Sequence, residues 1–182
     1  MLRDLRLVGG TALALQLGHR NSVDLDFFGV IDKTAEQIID ELKTEGFNVV
    51  IPEREAKMIK IIWVDDVKVD IVGGHTDWLN PPIEMEGVRM ASLQDIAAMK
   101  LHAITGRGRK KDFIDFYFLL QHFSLKQMIE FYQKQYPQNS LFMVIRSLSY
   151  FNDAEPDIMP TMFIDVSWGE MKSAIQNAIE NF

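Results

Sequence analysis

The chain of 182 residues contains no cysteine, which excludes disulfide bonds and thiolate metal sites. It also lacks an excess of basic charge, because 19 Lys and Arg stand against 26 Asp and Glu for a formal net charge of −7. A general basic surface for nucleic acid is therefore not expected, and only a local cluster of cations could serve. There is no signal-peptide core and no uninterrupted apolar run of about 18 residues. These absences predict a cytoplasmic protein with no membrane partner.

A glycine pair near the start of the chain is the first feature with chemical content. Gly9, Gly10 and Thr11 follow a short apolar run at residues 5–8 that is suited to a β-strand. Residues 12–17 are rich in Ala and Leu and predict a helix, with Thr11 as its N-cap and Gly18 as its C-terminal stop. A tight turn of this kind can bring backbone N–H groups close to an anion such as phosphate.

Two aspartates follow the helix in an alternating pattern. Asp24 and Asp26 are separated by Leu25, so a strand here places both carboxylates on one face and the apolar side chains on the other. Neighbouring carboxylates repel unless a cation lies between them, and Mg²⁺ is the simplest candidate. A phosphate-binding turn beside a metal-carboxylate pair indicates phosphoryl or nucleotidyl transfer.

A third carboxylate lies on a later strand. The period changes towards 2 over residues 47–51, 58–64 and 67–72, and a turn at Asp65 and Asp66 joins the last two. Within residues 67–72 the alternation separates Asp70 from the apolar face. We therefore expect Asp70 on a strand beside Asp24 and Asp26. Residues 73–86 are interpreted as a loop, and residues 88–91 as a short edge strand.

The second half of the chain is predicted to be helical. Ser92 should cap a helix over residues 93–105, and Ser124 a helix that runs to about residue 135. Further helices are expected at residues 112–122, 139–151 and 167–182. The sequence therefore predicts an α+β protein with a mixed α/β domain at residues 1–91 and a helical domain at residues 92–182.

Several cations and histidines allow more than one interpretation. Lys100 and Arg107 are seven residues apart on one predicted helix face and could face phosphates, although lysines are common on helix surfaces. The basic stretch at residues 106–111 suits either a solvated turn or a nucleotide or RNA contact. His19 and Arg20 could touch phosphate or belong to a polar loop. The other histidines have no ligand spacing and are interpreted as structural: His75, His102 and His122.

The first motif resembles that of polymerase-β-type nucleotidyltransferases, in which a glycine pair precedes an Asp-x-Asp by a similar spacer. The fuller run of residues 9–28, GGTALALQLGHRNSVDLDFF, is similar to the AbiEii/AbiGii toxin family, and the resemblance covers roughly residues 7–120. The resemblance implies a minimal nucleotidyltransferase fold, with a mixed sheet flanked by helices and followed by an α-helical half. Residues 1–8 form a shorter leader than many relatives have, so support of the first strand is expected to matter for activity.

The resemblance also implies roles for individual residues. Asp24 and Asp26 would bind Mg²⁺ or Mn²⁺, and Asp70 would complete the metal site and receive the proton of the attacking hydroxyl. The triphosphate of an NTP would be held by the first turn, and three further residues would lie near the nucleotide. The turn comprises Gly9, Gly10 and Thr11, and the further residues are Lys100, Lys111 and Asp112. Taken without the resemblance, Asp112 is a helix cap and Asp115 an interhelical partner.

The function expected from these features is transfer of a nucleoside monophosphate from an NTP to an acceptor hydroxyl, with release of pyrophosphate. The resemblance implies a toxin, an RNA or protein acceptor and a cognate antitoxin. Two alternatives stay open from the residues themselves. One is a non-catalytic module that binds a nucleotide or a partner, and the other is a small-molecule nucleotidyltransferase of the antibiotic-modifying kind.

Overall fold

The computed structural model describes residues 5–51, 59–74 and 77–182, without the side chains of residues 35 and 59–61. The predicted strand start at Met58 and the interpretation of His75 as structural lie outside these residues. The described strands are β1 Leu5–Val8, β2 Leu25–Gly29, β3 Val49–Val50, β4 Ile59–Val64, β5 Val67–Gly73, β6 Ile83–Met85 and β7 Val88–Met90. The described helices are α1 Gly9–Leu17, α2 Ala35–Thr44, α3 Leu93–Gly106, α4 Lys110–Leu119, α5 Leu125–Gln135, α6 Leu141–Leu148 and α7 Trp168–Glu180.

One mixed sheet contains all seven described strands, in the order β3-β4-β5-β2-β1-β7-β6. Strand β2 is central, because it pairs antiparallel with β1 and parallel with β5. Strand β1 is supported on both sides, since its other neighbour is β7. The α+β class and the mixed sheet flanked by helices are therefore confirmed, and the two strands with the predicted carboxylates are neighbours.

Local sequence explains most of the element boundaries. Gly18 ends α1 in the left-handed conformation, with φ of 61°. Thr34 caps α2 through a reciprocal capping box with Gln37. Asp65 and Asp66 both have positive φ, 46° and 67°, which is the geometry of a two-residue hairpin turn between β4 and β5. The predictions of Gly18 as a helix stop and of a turn at Asp65 and Asp66 are confirmed.

The structure corrects four of the predicted boundaries. Helix α1 begins at Gly9 with Val8 as its N-cap, so the prediction of Thr11 as N-cap is wrong. Gly9 permits this earlier start because its φ is 69°. The strand expected at residues 47–51 is limited to β3, and the helix expected at residues 112–122 is α4, which begins and ends earlier. The helix expected at residues 139–151 is the shorter α6.

The segment interpreted as a loop at residues 73–86 contains strand β6. This strand forms a hairpin with β7 through Glu86 and Gly87, whose φ values are 49° and 80°. Strand β7 therefore lies inside the sheet and β6 at its edge, which is the reverse of the expectation for residues 88–91. The mistake arose because β6 has three exposed residues and no buried face to give a periodic signal.

The main hydrophobic core lies between the sheet and the helices of the second half. It joins buried residues of α1, such as Leu13, to buried residues of α3 and α4, such as Leu101 and Phe116. A smaller core under α2 covers the opposite side of the sheet with Ile38, Val69 and others. The division of the chain at residue 91 stays a prediction, since the main core has members on both sides of it. No helix in the described part of the chain is long and apolar enough to cross a membrane.

Candidate active site

The centre of the candidate site is a pair of carboxylates on neighbouring strands. Asp26 on β2 stands in direct register with Asp70 on the parallel strand β5, so both side chains leave the same face of the sheet. Burial, and after it the charge of Asp70, raises the pKa of Asp26. A pair of this kind is a place where a cation would be stabilised.

Only one of the two carboxylate oxygens of Asp70 has a hydrogen-bond partner among the described residues. Its Oδ2 accepts a hydrogen bond of 2.5 Å from the Lys68 ammonium. Its Oδ1 is buried and has no hydrogen-bond partner among the described residues. A buried carboxylate oxygen without a partner is unfavourable, and a bound cation would supply the missing interaction.

The glycine pair forms the start of α1, and Gly9 lies close to the Asp26 carboxylate. A Cβ atom on Gly9 would stand 2.6 Å from Asp26 Oδ2, so only glycine allows the backbone this close to the carboxylate. A Cβ atom on Gly10 would collide with the guanidinium of Arg20. No side chain in the described residues caps the first turn of α1, so its N–H groups are available to a ligand.

Thr11 and Lys111 are arranged around Asp24, just before β2. The Thr11 hydroxyl donates a hydrogen bond of 2.5 Å to the main-chain oxygen of Asp24 and so ties α1 to the entry of the strand. The Asp24 side chain is 44% exposed, and its Oδ2 lies 3.8 Å from the ammonium of Lys111 in the first turn of α4. Asp24 is therefore the most accessible of the three predicted carboxylates, and a cation already stands near it.

Lys100 on α3 is buried, and its charge acts on Asp26. Its ammonium contacts Asp115 Oδ2 at 2.5 Å and Asp112 Oδ1 at 3.1 Å. Burial alone would lower the pKa of Lys100, but the two aspartates outweigh it and raise the pKa, so the side chain is a cation. Arg107 donates two further hydrogen bonds to Asp112, at 2.9 and 3.1 Å.

The same network continues through Asp115 to the connection that precedes β2. Arg20 donates to both Asp115 oxygens, at 2.7 and 2.9 Å, and His19 Nε2 lies 2.8 Å from Oδ1. All three side chains are buried. Asp115 thus joins α4 to α3 through Lys100, which confirms its interpretation as an interhelical partner. It also binds His19 and Arg20, two residues of the connection that precedes β2.

A cleft of about 340 Å³ opens between the sheet and α3. Gly9, Asp26 and Lys100 line it, together with Arg107 and the aromatic residues His102 and Tyr136. Of the nine predicted site residues, these first three reach the cleft. Asp70 lies beside Asp26 on the next strand. Asp24, just before β2, is paired with Lys111 of α4. The other three contact residues around the site: Gly10 lies against Arg20, Thr11 bonds to Asp24 and Asp112 pairs with Lys100.

The fit of a divalent metal rests on the chemistry of the donors. Among residues 5–51, 59–74 and 77–182, no group of three or more His, Asp or Glu side chains is already arranged to hold a metal ion. Asp26 and Asp70 nonetheless offer adjacent carboxylates, one of which has a buried oxygen without a partner. Carboxylate oxygens are the ligands that Mg²⁺ and Mn²⁺ prefer, so the two residues fit such an ion.

Sequence reasoning missed the partners of the buried charges and the aromatic residues of the cleft. The contacts of Asp115 with His19 and Arg20 span more than 90 positions, and no local pattern marks them. His102 was interpreted as structural because it lacks ligand spacing, yet it lines the cleft. Its partner Tyr136 follows the end of α5, where helix periodicity carries no information.

Comparison with known proteins agrees with this architecture. A protein of Aquifex aeolicus strain VF5 described as uncharacterised is 30% identical over 183 residues, covering 98% of this chain and 88% of its own. The crystal structure of JHP933 from Helicobacter pylori superimposes with a TM-score of 0.62 at 19% identity, over 98% of this chain and 84% of that one.

The MenT4 nucleotidyltransferase toxin of Mycobacterium tuberculosis H37Rv gives a TM-score of 0.65 at 13% identity, over 97% of this chain and 74% of that one. At these identities the likenesses show the fold, which is that of nucleotidyltransferases. The family model described as nucleotidyl transferase AbiEii toxin, type IV toxin–antitoxin system, matches residues 3–180. The chain therefore belongs to the AbiEii family of nucleotidyltransferase toxins.

Proposed function

We propose that this chain transfers a nucleoside monophosphate from an NTP to a hydroxyl group of an RNA or protein. The observation that carries the proposal is the register of Asp26 and Asp70, which places two carboxylates together beside the start of α1. This arrangement places acidic ligands and the start of α1, which no described side chain caps, beside a cleft. A triphosphate with its divalent cation needs both.

Each residue has a role in this proposal. Asp24, Asp26 and Asp70 would hold Mg²⁺ or Mn²⁺, which would supply positive charge to offset the triphosphate. The N–H groups at Gly9 and Gly10 bind phosphate oxygens. Thr11 and Asp112 act indirectly, because the first fixes the backbone at Asp24 and the second holds a cation.

The cations contribute in different ways. Lys100 is held between Asp112 and Asp115 in the lining of the cleft, so we assign it to offsetting charge on the triphosphate. Lys111 is about half exposed and lies near Asp24, where it can turn towards a phosphate. The buried network of Lys100, Asp112 and Asp115 fixes the helices against the sheet and keeps these groups aligned.

The proposed reaction balances as a simple displacement. The acceptor oxygen forms a bond to the α-phosphorus, and the bond from that phosphorus to the bridging oxygen of the β-phosphate breaks. Pyrophosphate leaves with the electron pair of that bond. The proton of the acceptor hydroxyl passes to a carboxylate of the site, and we assign this role to Asp70.

The test uses purified protein, Mg²⁺ and NTPs labelled on either the α- or the γ-phosphate, with total RNA, cell protein and an aminoglycoside panel as separate acceptors. We expect α-label to appear in RNA or protein and γ-label to appear as pyrophosphate. Asp26→Asn and Asp70→Asn should lose the transfer. Transfer of γ-label would indicate a kinase, and transfer to an aminoglycoside would indicate the small-molecule alternative. NTP binding without transfer to any acceptor would favour the non-catalytic module.

Membership of a toxin family also supports a partner protein. We propose that a cognate antitoxin counteracts the transfer, and that the protein works in the cytoplasm. Co-expression with a neighbouring gene product should relieve growth inhibition by the wild-type chain. The double variant Asp26→Asn/Asp70→Asn should be harmless without it, and toxicity of that variant would contradict the proposal.

A further inference from the structure

The cleft beside the carboxylate pair is lined by two chemically different groups of residues. One group is charged and comprises Asp26, Lys100 and Arg107. The other is apolar and aromatic and includes Met99 and Ala103 on α3 and Tyr136 after α5. A nucleotide has the same division, since its triphosphate is charged and its base is flat and largely apolar on its faces.

His102 belongs to the aromatic group and stacks on Tyr136. Its ring lies parallel to that of Tyr136, with centroids 4.5 Å apart and an interplanar angle of 9°. Tyr136 therefore covers one face of the imidazole. His102 is nevertheless an exposed residue, so its accessible area belongs to the opposite face and the ring edge.

A hydrogen bond also fixes the orientation of the His102 ring within this stack. Asn139 donates from its side-chain amide to His102 Nδ1 at 3.3 Å and to the Tyr132 hydroxyl at 3.1 Å. Burial lowers the pKa of His102, which favours the neutral ring. The proton then lies on Nε2, because Nδ1 accepts. A neutral, oriented ring backed by a second ring is a rigid surface for another flat group.

We propose that the base of the bound NTP stacks on the open face of His102, with Tyr136 supporting the ring from behind. The inference rests on the proposed function, because it assigns the charged residues of the cleft to the triphosphate. It makes His102 a specificity residue that distinguishes a nucleotide from a bare polyphosphate. Since stacking uses the face that every base has, all four NTPs should depend on it.

The first experiment compares NTPs with inorganic tripolyphosphate, which has the charge but no base. Titration calorimetry in the presence of Mg²⁺ would give Kd values for wild type, His102→Ala and His102→Phe. We expect His102→Ala to weaken each NTP about tenfold, within the usual range for loss of one stacking side chain, and to leave tripolyphosphate unchanged. His102→Phe should retain most of the affinity. His122→Ala, at an exposed histidine between α4 and α5, is the matched control.

A second measurement detects stacking directly. The emission of 2-aminopurine riboside triphosphate is quenched when its base stacks, so binding to wild type and His102→Phe should quench it and binding to His102→Ala should not. The inference is overturned if NTP and tripolyphosphate weaken equally, or if His102→Ala changes neither affinity nor quenching. If the folded wild type binds neither NTP nor tripolyphosphate, the proposed function itself fails.

Discussion

Asp26 on β2 and Asp70 on β5 stand side by side on parallel strands, in direct register. Burial and the neighbouring charge raise the pKa of Asp26, so its ionised form is disfavoured in the folded protein. The arrangement opposes folding at neutral pH unless a cation is present. Stability, in addition to activity, therefore reports on the site.

Replacement of Asp26 by Asn should stabilise the protein without metal. Because the folded pKa of Asp26 is raised, the proton-bound form favours folding at low pH, and this stabilisation is lost as the pH rises from about 4 through the folded pKa. At pH 7 we expect Asp26→Asn to raise Tm by roughly 2–4 °C, the equivalent of about 1 kcal/mol in a chain of this size.

The same variant should lose the increase in Tm that Mg²⁺ gives the wild type, since one carboxylate ligand is gone. Thermal unfolding from pH 4 to pH 8, with EDTA or with Mg²⁺, would measure both effects. Asp40→Asn on the exposed face of α2 is the matched control and should change neither. A lower Tm for Asp26→Asn in EDTA would contradict this, because it would show that repulsion between Asp26 and Asp70 does not destabilise the folded protein.

Lys68 provides a second way to change the charge of the pair. Its ammonium lies 2.5 Å from Asp70 Oδ2 and partly neutralises the two carboxylates. We expect Lys68→Met to lower Tm in EDTA and to enlarge the increase in Tm caused by Mg²⁺, because the metal ion no longer competes with the ammonium for Asp70. Lys126→Met, an exposed lysine on α5, serves as the control. If the increase in Tm caused by Mg²⁺ were unchanged, Lys68 and the metal ion would not compete for Asp70.

The pairing of Asp26 with Asp70 could be predicted from sequence, because each residue lies in a strand in which polar and apolar residues alternate. Alternation separated Asp26 and Asp70 from apolar neighbours, and the prediction that their strands lie side by side is confirmed. The network around Asp115 was not accessible, because its partners His19 and Arg20 are distant in sequence and their burial is decided by packing. From sequence alone, polar residues in a loop such as His19 and Arg20 are expected to be exposed to solvent, because the buried partner is not known.

Asp115 is expected to be the carboxylate on which the fold depends most. Burial alone would raise its pKa, but the ammonium of Lys100 and the hydrogen bonds from His19 and Arg20 outweigh burial and hold the pKa far below its usual range. A depressed folded pKa stabilises the protein above the unfolded pKa of about 4, and the contribution is lost as the pH falls below it.

Asp115→Asn should therefore destabilise the protein by about 3–5 kcal/mol at pH 7, because it leaves buried cations without their partner. Its stability should also fall less steeply than that of the wild type below pH 4. Urea unfolding at pH 7 and at pH 3.5 would test both statements. Asp153→Asn, at an exposed carboxylate in the same half of the chain, should have little effect. Equal losses at the two positions would show that the network contributes nothing beyond surface charge.

Gly9 and Gly18 offer a matched pair for testing the approach of the backbone to Asp26. Both have positive φ, 69° and 61°, so alanine at either position incurs similar backbone strain, on the order of 1 kcal/mol. A Cβ atom at Gly18 meets nothing within 4 Å, whereas at Gly9 it would stand 2.6 Å from Asp26 Oδ2.

Gly18→Ala should therefore lower Tm by a few degrees and leave NTP binding and nucleotidyl transfer intact. Gly9→Ala must push the Asp26 carboxylate or the start of α1 aside, and we expect it to reduce nucleotidyl transfer by about 100-fold or more, the usual result of misplacing a reacting group by an ångström. Calorimetric NTP binding, thermal unfolding and the α-label assay would separate the two effects. If the variants lost the same amount of activity, backbone strain would be the whole effect, and contact between Gly9 and Asp26 would have no part in catalysis.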